Sequence, residues 1–333
     1  MFPKIDTITV LGDGGWGTTL AIHLAKKKYR VKLWGAFPDY IREVQKTRVN
    51  IKFLPGIKIP NEVVLVDELN AALDDPQLIV LAIPSQYIRG LLKNLKPFDF
   101  SKRIVLSVIK GVDEATLLTM SGLIHKELGK IPFAVLSGPT IALEVAQGLP
   151  STAVVASRNT KITQQLQKVF NTATFRIYTN SDVIGVELGG SIKNVIAIAC
   201  GVCDGLGFGT NAKAAILSRG LAEMARLGKA LRAKSQTFAG LTGLGDLVTT
   251  CFSVQSRNRF VGEQLGQGKS ISEITAQMHM VAEGVETVKA VYRLGRKHKV
   301  SMPITIEVFN IICRNKNPQA AVYDLMSRRV KSE

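Results

Sequence analysis

Short apolar runs alternate with helix-patterned segments along the first half of the chain. Runs rich in apolar and β-branched residues lie at 6–11, 30–34, 63–66, 78–83, 103–108, 133–136, 152–156 and 175–178. Segments with apolar residues at helical spacing lie between most of these runs, at 18–27, 87–95, 116–128, 141–147 and 161–170. This alternation predicts an α/β fold with an N-terminal, Rossmann-like, doubly wound and mainly parallel sheet.

Strand patterns fade after residue 178, and helical patterns dominate the remaining sequence. The sequence therefore predicts two domains. A dinucleotide-binding, Rossmann-like domain is expected at 1–180, and an all-α domain that binds substrate and carries catalysis is expected at 181–333.

An apolar helix is predicted within residues 182–211, at the start of the second domain. Nearly every residue between Glu187 and Asp204 is apolar or small, so this helix would be buried on almost every side. The stretch is shorter than the roughly 20 apolar residues of a membrane span, and a charged residue, Lys193, lies at its middle. We therefore predict a core helix and no stable membrane insertion.

Lys193 is an unusual residue in such a helix, because lysine is almost never fully buried without a partner. Burial lowers the pKa of an ammonium group, so a buried lysine can exchange protons near neutral pH. One interpretation is a catalytic acid or base; the other is a lysine that reaches solvent or pairs with one carboxylate. Asp246, which lies among glycines and apolar residues, is either a helix cap or a carboxylate that faces a cleft.

A glycine-rich loop follows the first predicted strand directly. Gly12, Gly14 and Gly17 form a G-x-G-x-x-G pattern between that strand and a helix. In this setting the first glycine permits a tight turn, the second lets the backbone approach a pyrophosphate, and the third allows close helix packing. The pattern in this position predicts a dinucleotide site.

The second strand is expected to read the adenosine ribose of that dinucleotide. An acidic residue at its end is typical of NAD sites, and a basic residue is typical of NADP sites. Here the strand is followed by Gly35, Ala36 and Phe37, with neither charge. The cofactor is therefore NADP or NAD, with NADPH slightly favoured by the missing acid.

Polar residues follow three later strands, at the edge where ligands of doubly wound sheets bind. Lys110 is either a group that meets a substrate oxygen or a surface lysine before a turn. Gly138 and Thr140 offer a backbone N–H and a hydroxyl to a ligand, or they cap a helix. Further along the chain, the guanidinium group of Arg257 and the side-chain amide of Asn258 could donate hydrogen bonds to a phosphate.

Composition excludes several other classes of protein. The net charge of +17 is large, but its basic clusters lack the interleaved aromatic residues of a single-strand nucleic-acid platform. The N-terminus has no secretory pattern, and the four cysteines form no dense disulfide pattern, so a cytoplasmic protein is expected. No metal site is predicted, because His23, His125, His279 and His298 lack metal-ligand spacing.

The motifs taken together resemble the NAD(P)-dependent glycerol-3-phosphate dehydrogenase family, in its bacterial biosynthetic branch. The resemblance covers almost the whole chain and rests on GDGGWGTTLA, the IKG around Lys110, LSGPTIALEVAQGLP, GVELGGSIKNVIAIACGVCDGLGFGTNAKAAILSRGLAEM, GLTGLGDLVTTC and QSRNRFVG. It implies reversible reduction of dihydroxyacetone phosphate to sn-glycerol 3-phosphate for phospholipid synthesis, by a homodimer without a nucleic-acid partner.

The resemblance also implies roles for individual residues. Lys193 would be the proton acceptor or donor, with Lys110 and Asp246 as further catalytic groups. The implied substrate-binding residues are Lys110, Gly138, Thr140, Lys193, Asp246, Ser256, Arg257 and Asn258. The cofactor-binding residues are Gly12, Gly14, Gly15, Trp16, Gly17, Ala36, Lys110, Ala142, Arg257, Val281 and Glu283.

Three positions differ from the usual pattern of that family. Asp13 stands where a small residue is usual, Ala36 lacks the Arg or His that is common there, and Thr210 replaces a residue that is often acidic. A related β-hydroxyacid-type dehydrogenase and a non-catalytic dinucleotide-binding protein are the alternative functions.

Overall fold

The structure is a computed structural model that describes residues 4–278 and 281–330, and it contains an eight-stranded sheet. The strands are β1 (Thr7–Leu11), β2 (Arg30–Trp34), β3 (Val63–Val66), β4 (Leu78–Leu81), β5 (Ile104–Ser107), β6 (Phe133–Ser137), β7 (Ser151–Ala156) and β8 (Phe175–Asn180). Their order across the sheet is β3-β2-β1-β4-β5-β6-β7-β8. All neighbours are parallel except β6 and β7, so the mainly parallel, Rossmann-like sheet that the sequence predicts is confirmed.

The chain divides into two compact units, and the first holds the sheet. This unit runs from the N-terminus to Lys110 and from Met120 to Val186. Its helices are α1 (Gly15–Lys26), α2 (Pro38–Thr47), α3 (Leu69–Ala72), α4 (Ile88–Leu95), α5 (Met120–Leu128), α6 (Ala142–Ala146) and α7 (Thr160–Phe170). Strands β1, β4, β5 and β6 are buried along their whole length, as expected for a parallel sheet covered on both faces.

Helix α5 begins four residues later than the hydrophobic pattern predicts. The carboxylate of Asp113 accepts a hydrogen bond from the Thr116 N–H at 2.8 Å and another from the Thr116 hydroxyl. Leu117 then adopts a left-handed conformation with φ of 59°. This local turn competes with the helix for backbone groups, so the prediction of helix at 116–119 is wrong.

The second unit contains Gly111–Thr119 and the chain from Glu187 onward, and its described residues are mainly helical. Helix α8 (Val183–Gly205) enters it from the first unit. The helices that follow are α9 (Thr210–Ala230), α10 (Ser235–Ala239), α11 (Asp246–Phe252), α12 (Arg257–Gly266), α13 (Ile271–Ala276), α14 (Glu283–Lys297), α15 (Pro303–Arg314) and α16 (Pro318–Met326). A π-helical turn at Leu241–Gly245 leads into α11.

Helix α8 is the core helix of the second unit. By length and composition it could cross a membrane, but 94% of its most apolar window is buried inside the protein, as in a core helix. Its glycines let α12 approach very closely. A Cβ on Gly201 would collide with the Arg259 carbonyl oxygen, and one on Gly262 would collide with that of Ile198. The two helices therefore pack backbone against backbone, which fixes the side chains that α8 carries.

Candidate active site

The glycine loop lies where the strand order of the sheet reverses. Gly12 follows β1 with φ of 122°, a conformation that favours glycine. A Cβ on Gly12 would lie 2.5 Å from the carbonyl oxygen of Ala82, which follows β4. Strands β1 and β4 are neighbours from which the chain winds in opposite directions, and dinucleotides bind beyond such a point.

The shape of the loop fits a pyrophosphate group. A Cβ on Gly14 would meet nothing within 4 Å, whereas one on Gly17 would collide with the Gly12 carbonyl oxygen. Helix α1 begins at Gly15, and no side-chain cap occupies its first N–H groups. Open space at Gly14 beside free N–H groups of a helix N-terminus is the arrangement that binds phosphates.

Other predicted cofactor residues of the first unit lie on either side of this loop. Ala142 packs on α1, because its carbonyl oxygen accepts a hydrogen bond from the Thr19 hydroxyl at 3.0 Å. The half-buried ring of Trp16 meets Phe175 edge to face, with centroids 6.2 Å apart. Ala36 is exposed just beyond β2. Cofactor contact by these three residues stays a prediction.

Asp13 is a residue of the loop that sequence reasoning missed as a site residue. Its side chain is 8% exposed, and its Oδ2 atom is buried without a hydrogen-bond partner. Burial raises the pKa of this carboxyl to about 6, although the charge of Lys52 acts in the opposite direction. An aspartate inside a glycine-rich loop was the available sequence signal, but its direction could not be read from sequence.

Lys110, Gly138 and Thr140 come together in the first unit around one carbonyl oxygen. Lys110 Nζ donates to the Gly138 oxygen at 3.4 Å, and the Thr140 hydroxyl donates to the same oxygen at 3.2 Å. Gly138 itself has φ of 150°, and a Cβ there would press on Ala153 at 3.0 Å. The predicted grouping of these three residues at strand ends is thus present, and a role in substrate binding stays a prediction.

Lys193 and Asp246 form a buried ion pair in the second unit. Lys193 on α8 is 5% exposed, and Asp246 at the start of α11 is 1% exposed. Lys193 Nζ donates to Asp246 Oδ1. Asp246 is the first residue of α11 and follows its N-cap, Gly245, so the helix-cap interpretation is not met, and the prediction that its carboxylate faces a cleft stays a prediction. The pair satisfies the simpler interpretation of Lys193, so its catalytic role stays a prediction.

Thr250 completes this cluster and was also missed from the sequence. Its hydroxyl accepts a hydrogen bond from Lys193 Nζ at 2.7 Å and donates to the Asp246 carbonyl oxygen at 2.6 Å. The hydroxyl therefore has its proton directed away from the ammonium group. Thr250 lies four residues after Asp246 on one helix face, a spacing that would have suggested it.

Arg257 and Asn258 occupy the start of α12 and differ in burial. Arg257 is exposed, and its Nη1 atom donates to the Val281 carbonyl oxygen at 2.8 Å. Asn258 is buried, and its Oδ1 atom accepts from the Gly284 N–H at 2.9 Å. The structure thus brings Arg257 to the segment before α14, with Asn258 fixed beside it.

Ser256 and Glu283 begin the two helices that meet here. Ser256 is the N-cap of α12, and its hydroxyl accepts from the Arg259 N–H at 3.2 Å. Glu283 is the first residue of α14. Ser256 therefore has a structural role in this fold, and ligand contact by either residue stays a prediction.

Metal-binding groups are not gathered in the part of the chain that the structure describes. No cluster of three or more His, Cys, Asp or Glu side chains that could hold a metal ion occurs among residues 4–278 and 281–330. His279 lies outside these residues.

Comparison with known protein families assigns both halves of the chain. The N-terminal part of the NAD-dependent glycerol-3-phosphate dehydrogenase family matches residues 7–163, and its C-terminal part matches residues 182–323. A glycerol-3-phosphate dehydrogenase [NAD(P)+] from Prosthecochloris aestuarii is 45% identical over 329 residues, which cover 98% of this chain and 99% of the relative. The enzyme of that name from Geobacillus kaustophilus is 45% identical, over 99% of this chain and 96% of its own.

Solved structures show the same likeness. Glycerol-3-phosphate dehydrogenase from Coxiella burnetii superposes with a TM-score of 0.95 at 39% identity, covering 98% of this chain and 100% of that one. The enzyme from Saccharomyces cerevisiae superposes at 0.83 with 30% identity, over 98% and 100% of the two chains. A D-mandelate dehydrogenase with NADH, at 0.63 and 12% identity over 97% and 100%, shows likeness of fold alone.

Proposed function

The chain belongs to the NAD-dependent glycerol-3-phosphate dehydrogenase family, and from this membership we propose that it reversibly reduces dihydroxyacetone phosphate to sn-glycerol 3-phosphate. It is an oxidoreductase that acts on a secondary alcohol and uses NAD or NADP. The observation that supports this function best is the buried ammonium of Lys193, held by Asp246 and Thr250.

Lys193 is the proton donor in the reducing direction. When bound, the nicotinamide cofactor supplies the hydride that reaches the carbonyl carbon. The carbonyl oxygen then gains negative charge, and the ammonium of Lys193 stabilises that charge and transfers a proton to it. In the oxidising direction the neutral amine takes the proton of the alcohol. Asp246 and Thr250 fix the direction of Nζ during both steps.

Arg257 binds the phosphate group of the substrate. Its exposed guanidinium has a fixed position, because Nη1 is tied to the Val281 carbonyl oxygen. A planar fork with several N–H donors suits phosphate oxygens, and a fixed phosphate places the carbonyl carbon at a constant distance from it. The remaining residues that we assign to substrate binding are Lys110, Gly138, Thr140, Asp246, Ser256 and Asn258.

The cofactor is bound through the glycine loop of the first unit. The pyrophosphate lies against Gly14 and the first N–H groups of α1, where a Cβ would meet nothing within 4 Å. The other residues that we assign to cofactor binding are Gly12, Gly15, Trp16, Gly17, Ala36, Lys110, Ala142, Arg257, Val281 and Glu283.

The cellular role, location and oligomeric state that we assign are those that the resemblance to the bacterial biosynthetic branch of the family implies. The product supplies the backbone of glycerophospholipids, and the enzyme acts in the cytoplasm as a homodimer. The domains at 1–180 and 181–333 divide the work into cofactor binding and catalysis.

A steady-state assay tests the function directly. Purified protein is given dihydroxyacetone phosphate with NADH or with NADPH, and the loss of nicotinamide absorbance is followed. Oxidation of either cofactor, with glycerol 3-phosphate as the product, is the expected result. A non-phosphorylated β-hydroxyacid serves as the comparison substrate with NAD and NADP. Turnover confined to that acid, or binding of cofactor without any turnover, would overturn the proposal in favour of the two alternative functions.

A further inference from the structure

The end of β2 lacks the residue that usually reads the adenosine ribose. In doubly wound sheets an acidic residue there accepts a hydrogen bond from the ribose 2′-hydroxyl, and a basic residue accommodates a 2′-phosphate. Strand β2 ends at Trp34, and Gly35 and Ala36 follow it. This strand therefore supplies neither charge.

The carboxyl group of Asp13 lies at this position instead, although it comes from the glycine loop. A Cβ on Gly35 would lie 2.6 Å from Asp13 Oδ2 and 2.9 Å from its Cγ. Any side chain at position 35 would thus displace the carboxyl group. The glycine that leaves β2 without an acid is also what makes room for the acid from the loop.

The structure holds the backbone of Asp13 firmly and leaves a carboxyl oxygen without a donor. The Asp13 carbonyl oxygen accepts from Asn50 Nδ2 at 2.6 Å and from the Thr18 hydroxyl at 3.2 Å. The Oδ2 atom is buried and has no hydrogen-bond partner. Buried polar atoms without a partner are uncommon, because each one forfeits its hydration. Such an oxygen in a ligand site indicates a donor that arrives with the ligand.

The charged and titratable groups that face this carboxyl are Lys52 and Tyr40. Burial raises the pKa of Asp13 to about 6, against the weaker opposing effects of a hydrogen bond from its own backbone N–H and of the charge of Lys52. Burial raises the pKa of the Tyr40 phenol, and the negative charge of Asp13 adds to that rise. Above pH 6, Asp13 is therefore a negative charge that Lys52 only partly offsets.

We propose that Asp13 determines the cofactor preference of this enzyme by disfavouring a 2′-phosphate and favouring a free ribose 2′-hydroxyl. The inference rests on the proposed function, in that it concerns the dinucleotide of that reaction. A 2′-phosphate next to a buried carboxylate meets like charge in a medium of low dielectric. A ribose hydroxyl carries no charge and brings a donor. The enzyme should therefore prefer NADH, which reverses the slight preference for NADPH that the missing acid on β2 suggests.

The preference should weaken as Asp13 becomes protonated. Below pH 6 the carboxyl is neutral, so the repulsion of a 2′-phosphate is lost while the hydroxyl of NAD still finds an acceptor. The 2′-phosphate also changes its charge near pH 6, as phosphate monoesters do. The comparison must therefore be made between the wild type and an Asp13 variant at each pH.

The test measures binding without substrate, so that turnover plays no part. Dissociation constants of NADH and NADPH are determined by titration calorimetry at pH 8 and pH 5.5. The same is done for 5′-AMP and adenosine 2′,5′-bisphosphate, which differ only in the 2′-phosphate. At pH 8 the dissociation constant of NADH for the wild type should be lower than that of NADPH by a factor of about ten or more. Asp13→Asn, which keeps the shape of the side chain, should reduce that ratio by about tenfold, chiefly through tighter NADPH binding. At pH 5.5 the two proteins should agree.

Asp39→Asn is the matched control. Asp39 lies in the first turn of α2, close in sequence to the end of β2, and its side chain is fully exposed. Removal of this charge should change the NADPH to NADH ratio by less than about twofold, because water screens it.

Several results would overturn the inference. A ratio in Asp13→Asn equal to that of the wild type at pH 8 would do so, as would a wild type that binds NADPH more tightly. If Asp13→Asn did not fold, Asp13→Ser, with the small side chain typical of this loop position, would give the same test. Wild type that binds neither dinucleotide would instead contradict the proposed function itself.

Discussion

Two buried carboxylates, one in each unit, have opposite surroundings. Asp246 in the helical unit is 1% exposed and is paired with the ammonium of Lys193. Asp13 in the sheet unit is 8% exposed, and its Oδ2 atom has no partner. Both are short acids next to glycine-rich turns, so the sequence makes them look alike. The fold gives the Asp246 carboxylate a partner and leaves Asp13 Oδ2 without one.

The difference matches the two roles that we propose, a site that acts on a reacting atom and a group that selects a ligand. A paired buried charge keeps one geometry before the substrate arrives, which is what catalysis by a positioned proton donor requires. An unpaired buried carboxylate destabilises the free protein, and a ligand that supplies a donor relieves that cost. Lys193 and Asp246 therefore suit chemistry, and Asp13 suits selection among cofactors.

The largest expected effect comes from Lys193→Met, which removes the ion-pair partner of Asp246. Lys193→Met should lower kcat by about 10³-fold to 10⁴-fold, because the proton donor and its positive charge are lost. It should also lower the free energy of unfolding by about 3–5 kcal/mol, since a buried carboxylate is left without its partner. Cofactor affinity should not change. Steady-state kinetics measure kcat, urea unfolding measures stability, and cofactor titration measures affinity.

A double variant separates the two effects of that change. Lys193→Met combined with Asp246→Asn removes both charges, so most of the lost stability should return while activity stays low. Near-full activity of Lys193→Met would exclude Lys193 as the proton donor. Activity that returned together with stability would show that the pair serves only the fold.

Arg257 sharpens the comparison because it is an exposed cation. Arg257→Ala should raise KM for dihydroxyacetone phosphate by about 100-fold, since a charge-assisted fork to the phosphate is lost. Stability should change by less than about 0.5 kcal/mol, because no buried charge is left behind. Arg257→Lys should recover part of the affinity through its charge alone. An unchanged KM in Arg257→Ala would contradict phosphate binding by this residue.

The unpaired carboxylate of Asp13 predicts a pH-dependent stability. Because the pKa of Asp13 is about 6 when folded and near its usual 3.8 when unfolded, its contribution to stability falls as pH rises from about 4 to 6. Asp13→Asn should therefore be more stable than wild type by about 3 kcal/mol at pH 8, with little difference at pH 4. Urea unfolding without cofactor at both pH values measures this. Equal stability of the two proteins at pH 8 would mean that the carboxylate is not destabilising.

Sequence patterns anticipated the sheet and the loop more fully than the side-chain contacts. Gly12 and Gly17 could be predicted because backbone geometry demands glycine at those positions, and Gly14 because a bound pyrophosphate needs the open space beside it. The direction of the Asp13 carboxyl depends on the missing Cβ of Gly35, a residue 22 positions later in the sequence. The start of α5 was misplaced because the Asp113 side chain competes for the backbone N–H of Thr116. Local pattern therefore predicts elements, while contacts distant in sequence decide which charges are paired.

The smallest expected effect concerns how firmly the paired site is held. Thr250→Val keeps the volume of the side chain but removes the hydroxyl that accepts from Lys193 Nζ, while the hydrogen bond from Nζ to Asp246 remains. We expect kcat to fall about tenfold while KM for dihydroxyacetone phosphate stays the same, because Nζ loses one of the contacts that fix its direction. Thr250→Ser should restore kcat. Thr249→Val, on the neighbouring position of α11, should leave kcat and KM unchanged. A loss of stability without any fall in kcat would assign Thr250 to the fold alone.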